Sequence, residues 1–450
     1  MTKRITLALA LVGLCMISCK KYLEEIPNKK LSIPVNLADF QLLLNNTRDL
    51  AVTPGLGDIA SDDLSLTSST YRAQTILVRN LYLWKSYVFS ANQNTAWSNM
   101  YRSILYANAV LEGLEKIEVN SSDRSTYNDL EGQALFLRAN AFYSLQETFG
   151  QIYQRENAST SLGVPLKLSS NLTERYTRAT VEETYTQIIK DLEKAAVLLP
   201  TKFDISTRFR PTQAAAYGLL SRVYLSLGEY DKAENNAANS LSIYAELTDY
   251  NKLEPSPDIS PFKFLINEVV HYTRSEANLS TPSINEELYN TYDDTDLRKT
   301  LFFRFNKTTE KFEFIGSYAA SQSGFSGIAT DELLLIKSEC LARRGETQEA
   351  LNVLNKLLEK RYKAGSVFRK TAVDAEQALS IILLERRKEL VFRGIRWIDL
   401  RRLNRDPSTQ KTLRRVLDNE VYELKPNDPK YAFPIPEEEI RLSGIPQNIR

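Results

Sequence analysis

The chain has 450 residues, with 57 Lys and Arg against 56 Asp and Glu, one histidine and a formal net charge of +1. So even a balance leaves no field to draw it toward nucleic acid or an anionic lipid surface. Its 43% hydrophobic and 25% charged content is that of a water-soluble globular body, long enough for one large domain or two smaller ones.

The first element is a leader. Lys3-Arg4 precede an apolar stretch from Ile5 to Ile17, which ends in Met16-Ile17-Ser18-Cys19. A charged start, a short apolar run and a small residue before the cut make a secretory signal over residues 1–18. A cysteine at the first position after the cut matches a bacterial lipobox, so Cys19 is the expected site of acylation. An ordinary signal with a coincidental cysteine is the alternative. The run falls short of the roughly 20 residues of a transmembrane helix, and no later segment reaches that length. The expected mature protein therefore sits on a membrane by its lipid without crossing it. Loss of Lys3 and Arg4 leaves 55 basic against 56 acidic residues over 432 positions. Cys15 leaves with the signal and Cys19 is acylated. Cys340 is then alone, which excludes an intrachain disulfide and reads as a small core residue on a helix.

Residues 19–35, with Pro27 and Pro34, read as a lipidated tether. Asp62 to Asn94 is the first segment with a binding texture. A sugar ring offers an apolar C–H face to an aromatic side chain and a polar rim to Asn, Asp and Arg, and Tyr71, Arg72, Trp84, Tyr87, Asn92 and Asn94 supply those groups. Amphipathic helices are expected over Thr95–Ile117, Tyr127–Phe149 and Val181–Leu199, where apolar residues recur at three- and four-residue spacing. Pro200 closes the third. Trp97 is assigned to packing.

Two stretches fit a tetratricopeptide register. In one, Tyr217, Leu220, Ser221, Tyr224, Gly228, Tyr230 and Ala233 hold the expected offsets. In the other, Leu334, Ser338, Leu341, Gly345 and Ala350 do so, with Lys337 and Thr347 as departures. The small residues let paired helices approach, and Gly228 and Gly345 should end the first helix of each pair at positive φ. Between them, residues 249–327 form an irregular insertion rich in Pro, Ser, Thr, Asn and Tyr, with a hairpin expected over Leu301–Phe305 and Lys311–Ile315. Irregular segments often carry binding residues, and Tyr250, Tyr272, Tyr289 and above all Tyr292 are the second set of candidates.

Catalytic chemistry is poorly provided for. His271, after Val269-Val270, reads as a strand or core-edge residue, and no nucleophile elbow accompanies it. There is no HExxH or Cys/His cluster, no P-loop and no complete dinucleotide glycine pattern. No cofactor or metal is expected. Asp62-Asp63 and Asp293-Asp294 are adjacent carboxylates of the kind that usually sit in solvated turns, and adjacency does not give a glycosidase its carboxyl separation.

The segment from Leu384 to Arg402, expected as one helix and its exit, reads Leu-Glu-Arg-Arg-Lys-Glu-Leu-Val-Phe-Arg-Gly-Ile-Arg-Trp-Ile-Asp-Leu-Arg-Arg. It resembles the signature of the SusD/RagB family of outer-membrane nutrient-binding lipoproteins. Other pieces agree in order: Cys19 to Pro27, Gly132 to Ala139, Asp191 to Pro200, Ala214 to Leu225 and Phe433 to Ile440. Arg393, where many members have Glu, and the ending Gln447-Asn448-Ile449-Arg450 depart from the pattern. Glu385, Arg386, Glu389, Arg396 and Asp399 could be mistaken for a catalytic cluster. A structural ion-pair network over Trp397 and Phe392 is the expected reading, because arginine forks hold carboxylates well. The resemblance implies a mainly α, tetratricopeptide-like helix-pair scaffold in a single domain over 36–450, with helical parts at about 95–245 and 328–405. It also implies a lipoprotein on the outer face of the outer membrane, partnered with a SusC-like TonB-dependent transporter, which captures an oligosaccharide or peptide without a covalent step. A surface glycoside hydrolase and a helical scaffold that binds no nutrient stay open as alternatives.

Overall fold

The computed structural model describes residues 34–90, 95–202, 204–256, 260–264, 266–277, 279, 282–319 and 324–450. The leader, Cys19, Asn92 and Asn94 lie outside them. The main helices are α1 (Leu37–Leu44), α2 (Thr95–Leu114), α3 (Arg124–Phe149), α4 (Val181–Leu198), α5 (Gln213–Leu227), α6 (Tyr230–Ile243), α7 (Thr330–Arg343), α8 (Thr347–Leu358), α9 (Ala375–Glu389) and α10 (Arg396–Leu403). Short strands accompany them: β1 (Val269–His271), β2 (Phe303–Asn306), β3 (Lys311–Phe314), β4 (Ile328–Ala329), β5 (Leu413–Leu417) and β6 (Glu420–Leu424). The fold is mainly α. No helix among the described residues is long and apolar enough to cross a membrane.

From α2 to α8 each helix packs on the next, and α6 packs directly on α7 although residues 244–329 intervene. The two repeats therefore stack as neighbours. Their pairing has a local chemical cause. The Ser221 hydroxyl donates to the Ala233 carbonyl at 2.9 Å, and at the equivalent place Ser338 donates to Ala350 at 2.7 Å. All four residues are fully buried. A serine facing an alanine thus replaces side-chain bulk with a helix-to-helix hydrogen bond. Gly228 and Gly345 follow α5 and α7 at φ of +78° and +89°, as expected. The start of α4 is fixed by a reciprocal cap: Glu183 N–H donates to the Thr180 hydroxyl at 3.1 Å, and Thr180 N–H donates to the Glu183 carboxylate at 2.8 Å.

The insertion contains the expected hairpin, shifted by up to two residues. β2 pairs antiparallel with β3, while Leu301 ends the short helix Arg298–Leu301. β1 pairs antiparallel with β4, so the insertion is tied back to the start of α7. The segment Leu384–Arg402 is not one helix. α9 stops at Glu389 and α10 begins at Arg396, and between them Phe392 and Gly394 have φ of +54° and +73°. The Gly394 N–H donates to Asp58 at 2.9 Å, so a buried carboxylate holds the break. Phe392 is buried against Phe314, and Trp397 stacks on Phe433 with centroids 5.2 Å apart. The largest hydrophobic cluster draws on residues from Val52 to Ile445, with separate smaller ones among α7, α8 and α9 and beneath α1.

Candidate functional site

The Asp62–Asn94 segment separates into a buried foundation and an exposed surface. Trp84 belongs to the foundation. Its indole N–H donates to the Ala60 carbonyl at 2.9 Å and its side chain is 2% exposed. Beneath it β5 sends in Arg415, whose guanidinium carbon lies 3.7 Å from the Tyr82 ring centre and 4.6 Å from that of Trp84. Arg415 donates to the carbonyls of Tyr82 and Ser61. Among the described residues no carboxylate pairs with it, and burial lowers its pKa to about 10. The indole is therefore wall material, and the expectation that Trp84 stacks on a ligand is corrected.

Tyr87 is 79% exposed, Tyr71 is half-buried against Tyr82, and Arg72 reaches across to Asp418 at 2.7 Å. Lys85 sits 5.2 Å from the ring centre of half-buried Tyr422, and Arg450 holds the carbonyls of Lys85 and Ser86. Tyr71, Arg72, Lys85, Tyr87 and Tyr422 thus make an aromatic and cationic surface at the junction of the 68–87 segment with the β5–β6 hairpin. Tyr422 was legible in principle. Asp418-Asn419 between two alternating runs signals a tight hairpin, and both residues have positive φ (+51° and +66°).

The second set of candidates is mostly interior. Tyr292 is 1% exposed and its hydroxyl donates to the Lys388 carbonyl at 2.8 Å. Tyr250 is fully buried and bonded to the Tyr318 hydroxyl at 2.6 Å. Tyr292 is therefore also corrected, from ligand contact to packing. Tyr272 and Tyr289 are half-buried, the latter stacked on Phe312 at 3.7 Å.

The charges around the α9–α10 break form a buried ionic core. Arg298 donates to Asp296, Glu385 and Glu389 at 2.6–2.9 Å. Arg361 bridges Glu389 and Glu268, each at 2.7 Å. Asp399 takes Arg386 and Arg402, and Arg402 forks Glu339 at 2.6 and 2.8 Å. Asp62 and Asp63 are not in a solvated turn. Arg396 forks Asp62 at 2.7 and 2.9 Å, and Arg387 takes Asp63 at 2.8 Å. Arginines separated from them by over 300 residues convert the pair to interior struts. Against the cost of burial, Arg396 and Arg387 hold Asp62 well below the usual carboxylate range. Asp293 and Asp294, in contrast, do form an exposed turn.

Glu268, Asp331 and Glu389 bring carboxylate oxygens within 4.8 Å of one another. Arg361 and Arg393 already bond to them, so the charge is largely neutralised in place. His271 is in a strand, as expected, and burial drives its pKa down to about 3. It is neutral at physiological pH and packs edge-on to Phe136. Two clefts flank the segment from Thr47 to Gly57. One, of about 430 Å³ counted to solvent, is lined by Phe136, Phe209 and His271. The other, of about 560 Å³, is lined by Tyr143, Glu147, Arg222 and Arg393. Asn140 of α3 faces both.

Stacked helix pairs bolted by an ionic core to an irregular half define a helical-repeat scaffold with an aromatic surface. The sequence comparisons give the family. Residues 21–225 match a family described as "Starch-binding associating with outer membrane", and residues 328–449 match the SusD family. The SusD-like protein P2 of Formosa agariphila is 25% identical over 427 residues, covering 78% of this chain and 79% of its own. The chain belongs to the SusD/RagB-like family. Among solved structures, a Bacteroides vulgatus protein described provisionally as sugar-binding superposes with a TM-score of 0.74 at 25% identity, over 93% of this chain and 99% of its own. Surface glycan-binding protein A of Bacteroides uniformis shares the fold, with a TM-score of 0.70 at 19% identity over 92% and 99%.

Proposed function

We propose that this protein is an outer-membrane lipoprotein, anchored through Cys19 and facing the cell exterior, that captures an oligosaccharide and hands it to a SusC-like TonB-dependent transporter. The observation that carries the reading is family membership over both ends of the chain, joined to the sugar-binding description of a relative that superposes along its full length. The reading includes no covalent step, because the buried carboxylates of the ionic core have arginine or lysine partners and the one histidine is neutral and enclosed. The capture surface is assigned to Tyr71, Arg72, Tyr87 and Tyr422. Aromatic faces there can cover the C–H side of a sugar, and Arg72 and Lys85 can reach its hydroxyl rim. Asn92 and Asn94 adjoin this surface in sequence and belong to the same assignment.

The test is titration of residues 20–450 with a panel of neutral oligosaccharides, followed by variants. Tyr87→Ala removes an exposed ring, so it should leave the melting temperature unchanged. It should weaken the best ligand by about tenfold, the equivalent of losing about 1.4 kcal/mol of stacking. Tyr292→Phe should leave affinity unchanged. Unchanged affinity in both Tyr87→Ala and Tyr422→Ala would remove this surface from consideration. Capture of an outer-membrane barrel from native membranes by the tagged full chain tests the partner separately, and fractionation of a Cys19→Ala chain tests the lipid.

A further inference from the structure

We propose that the capture surface takes an acidic glycan, one whose sugar rings carry carboxylate or sulfate groups. This rests on the capture reading above and deepens it by naming the charge class of the ligand. Across the whole chain positive and negative residues nearly cancel. At this surface they do not. Lys85 is exposed, with its ammonium 5.2 Å from the ring centre of Tyr422. Arg79, half-buried in the helix Ile76–Tyr82, stands close enough for its charge to act on the Tyr71 hydroxyl. Arg450 donates to the carbonyls of Lys85, Ser86 and Lys430 at 3.0, 3.2 and 3.1 Å. Arg415 beneath donates to those of Tyr82 and Ser61. Carbonyls satisfy the N–H groups but leave the charge standing. Among the described residues no carboxylate forms an ion pair with any of these four cations.

The acids nearby are engaged or turned away. Asp418 pairs with Arg72 at 2.7 Å, and Glu420 accepts from the Tyr422 hydroxyl. Asp428 caps the Lys430 N–H at 2.9 Å. Glu423 follows Tyr422 on its strand and so lies on the opposite face of the hairpin, across from Arg414. Positive charge is therefore in excess over the rings. Arg415 is buried and Arg450 half-buried, where salt screens them less than it would at the open surface. The backbone fixes where Lys85 stands. Trp84 before it has a φ of +51°, in a region that bulky residues seldom occupy. That turn sends the indole inward and leaves Lys85, Ser86 and Tyr87 exposed, with Arg450 holding the first two carbonyls. A sugar lying on the Tyr87 ring has an exocyclic acid group within the sweep of the Lys85 side chain. A neutral sugar leaves these cations unanswered.

Residues 20–450 are titrated calorimetrically with tetragalacturonate and its methyl ester, and with a sulfated galactose tetramer and its desulfated form. In at least one pair the acid should bind about tenfold more tightly at about 20 mM salt, and the preference should shrink at about 500 mM as screening shortens the reach of the cations. The pair that shows it distinguishes a carboxylate from a sulfate. Lys85→Glu changes an exposed side chain outside any ion pair, so the melting temperature should hold while the preference is lost or inverted. Equal affinity within both pairs overturns the proposal and leaves the capture surface standing. An acid preference that survives both Lys85→Glu and Tyr87→Ala unchanged places the acid elsewhere and overturns it as well. Binding by none of the four probes overturns it for both acid groups.

Discussion

At the scale of single residues, environment rather than identity sets the role. Trp84 and Tyr87 are three positions apart, yet one is sealed against Arg415 and the other stands in solvent. Composition marks both as candidate platforms. Only the hairpin that arrives from residues 413–424 decides which is covered, and that contact is too distant in sequence to read. Asp62-Asp63 shows the same limit, because the arginines that bury it come from the far end of the chain. Asp58 shows what a missing cation does. Burial raises its pKa to about 7, opposed by the Gly394 N–H bond and reinforced by Asp63. Between the unfolded pKa near 4 and the folded value, the native state holds one proton more than the unfolded chain. Stability therefore falls as pH rises across that window, by up to about 1.4 kcal/mol per pH unit from this group. Asp58→Asn keeps an acceptor for Gly394 and removes the titration. Melting curves from pH 4 to 8 should show the variant gaining on the parent up to about pH 7 and levelling off above it, and parallel curves would refute the assignment.

At the scale of elements, the repeats were the legible part. Periodicity places α2, α3 and α4 to within three residues, and Gly228 and Gly345 mark the ends of α5 and α7 because positive φ restricts the residue type. The α9–α10 break was harder to see. Leu384 to Arg402 keeps a helical texture throughout, and what interrupts it is the bond from Gly394 to Asp58, again a partner remote in sequence. The serine–alanine contacts now give the register a measurable energy. Ser338→Ala deletes one buried hydrogen bond and should cost about 1 kcal/mol. Gly345→Ala meets no atom within 4 Å of its new methyl group, so its cost is conformational alone, about 1–2 kcal/mol. The two sites lie on one helix and its cap but share no bond, and their effects should add in urea unfolding. A loss near zero for Ser338→Ala would show that the hydroxyl is dispensable to the pairing.

At the scale of the molecule, the ionic core explains why the α9–α10 segment reads as a signature. Its charges reach Asp62 and Asp63 near the start, Asp296 and Arg298 in the insertion, and Glu339 on a repeat helix. One stretch thus ties together parts that share little local pattern, and the hydrophobic cluster from Val52 to Ile445 runs beneath it. The insertion cannot loosen without exposing Glu385 and Glu389, and the repeats cannot loosen without freeing Arg402. We propose on this ground that residues 36–450 unfold as a single unit. Arg298→Met tests it, because the substitution approximates the volume but leaves Asp296, Glu385 and Glu389 short of a cation in the interior. Breaking a buried pair from one side costs about 3–5 kcal/mol, and here three carboxylates are affected. Tryptophan emission, reporting on buried Trp84, Trp97 and Trp397, and far-ultraviolet circular dichroism, reporting on the helix stack, should shift to lower urea together in this variant. If the core only decorated the insertion, the dichroism transition would stay where it is in the parent while emission alone moved.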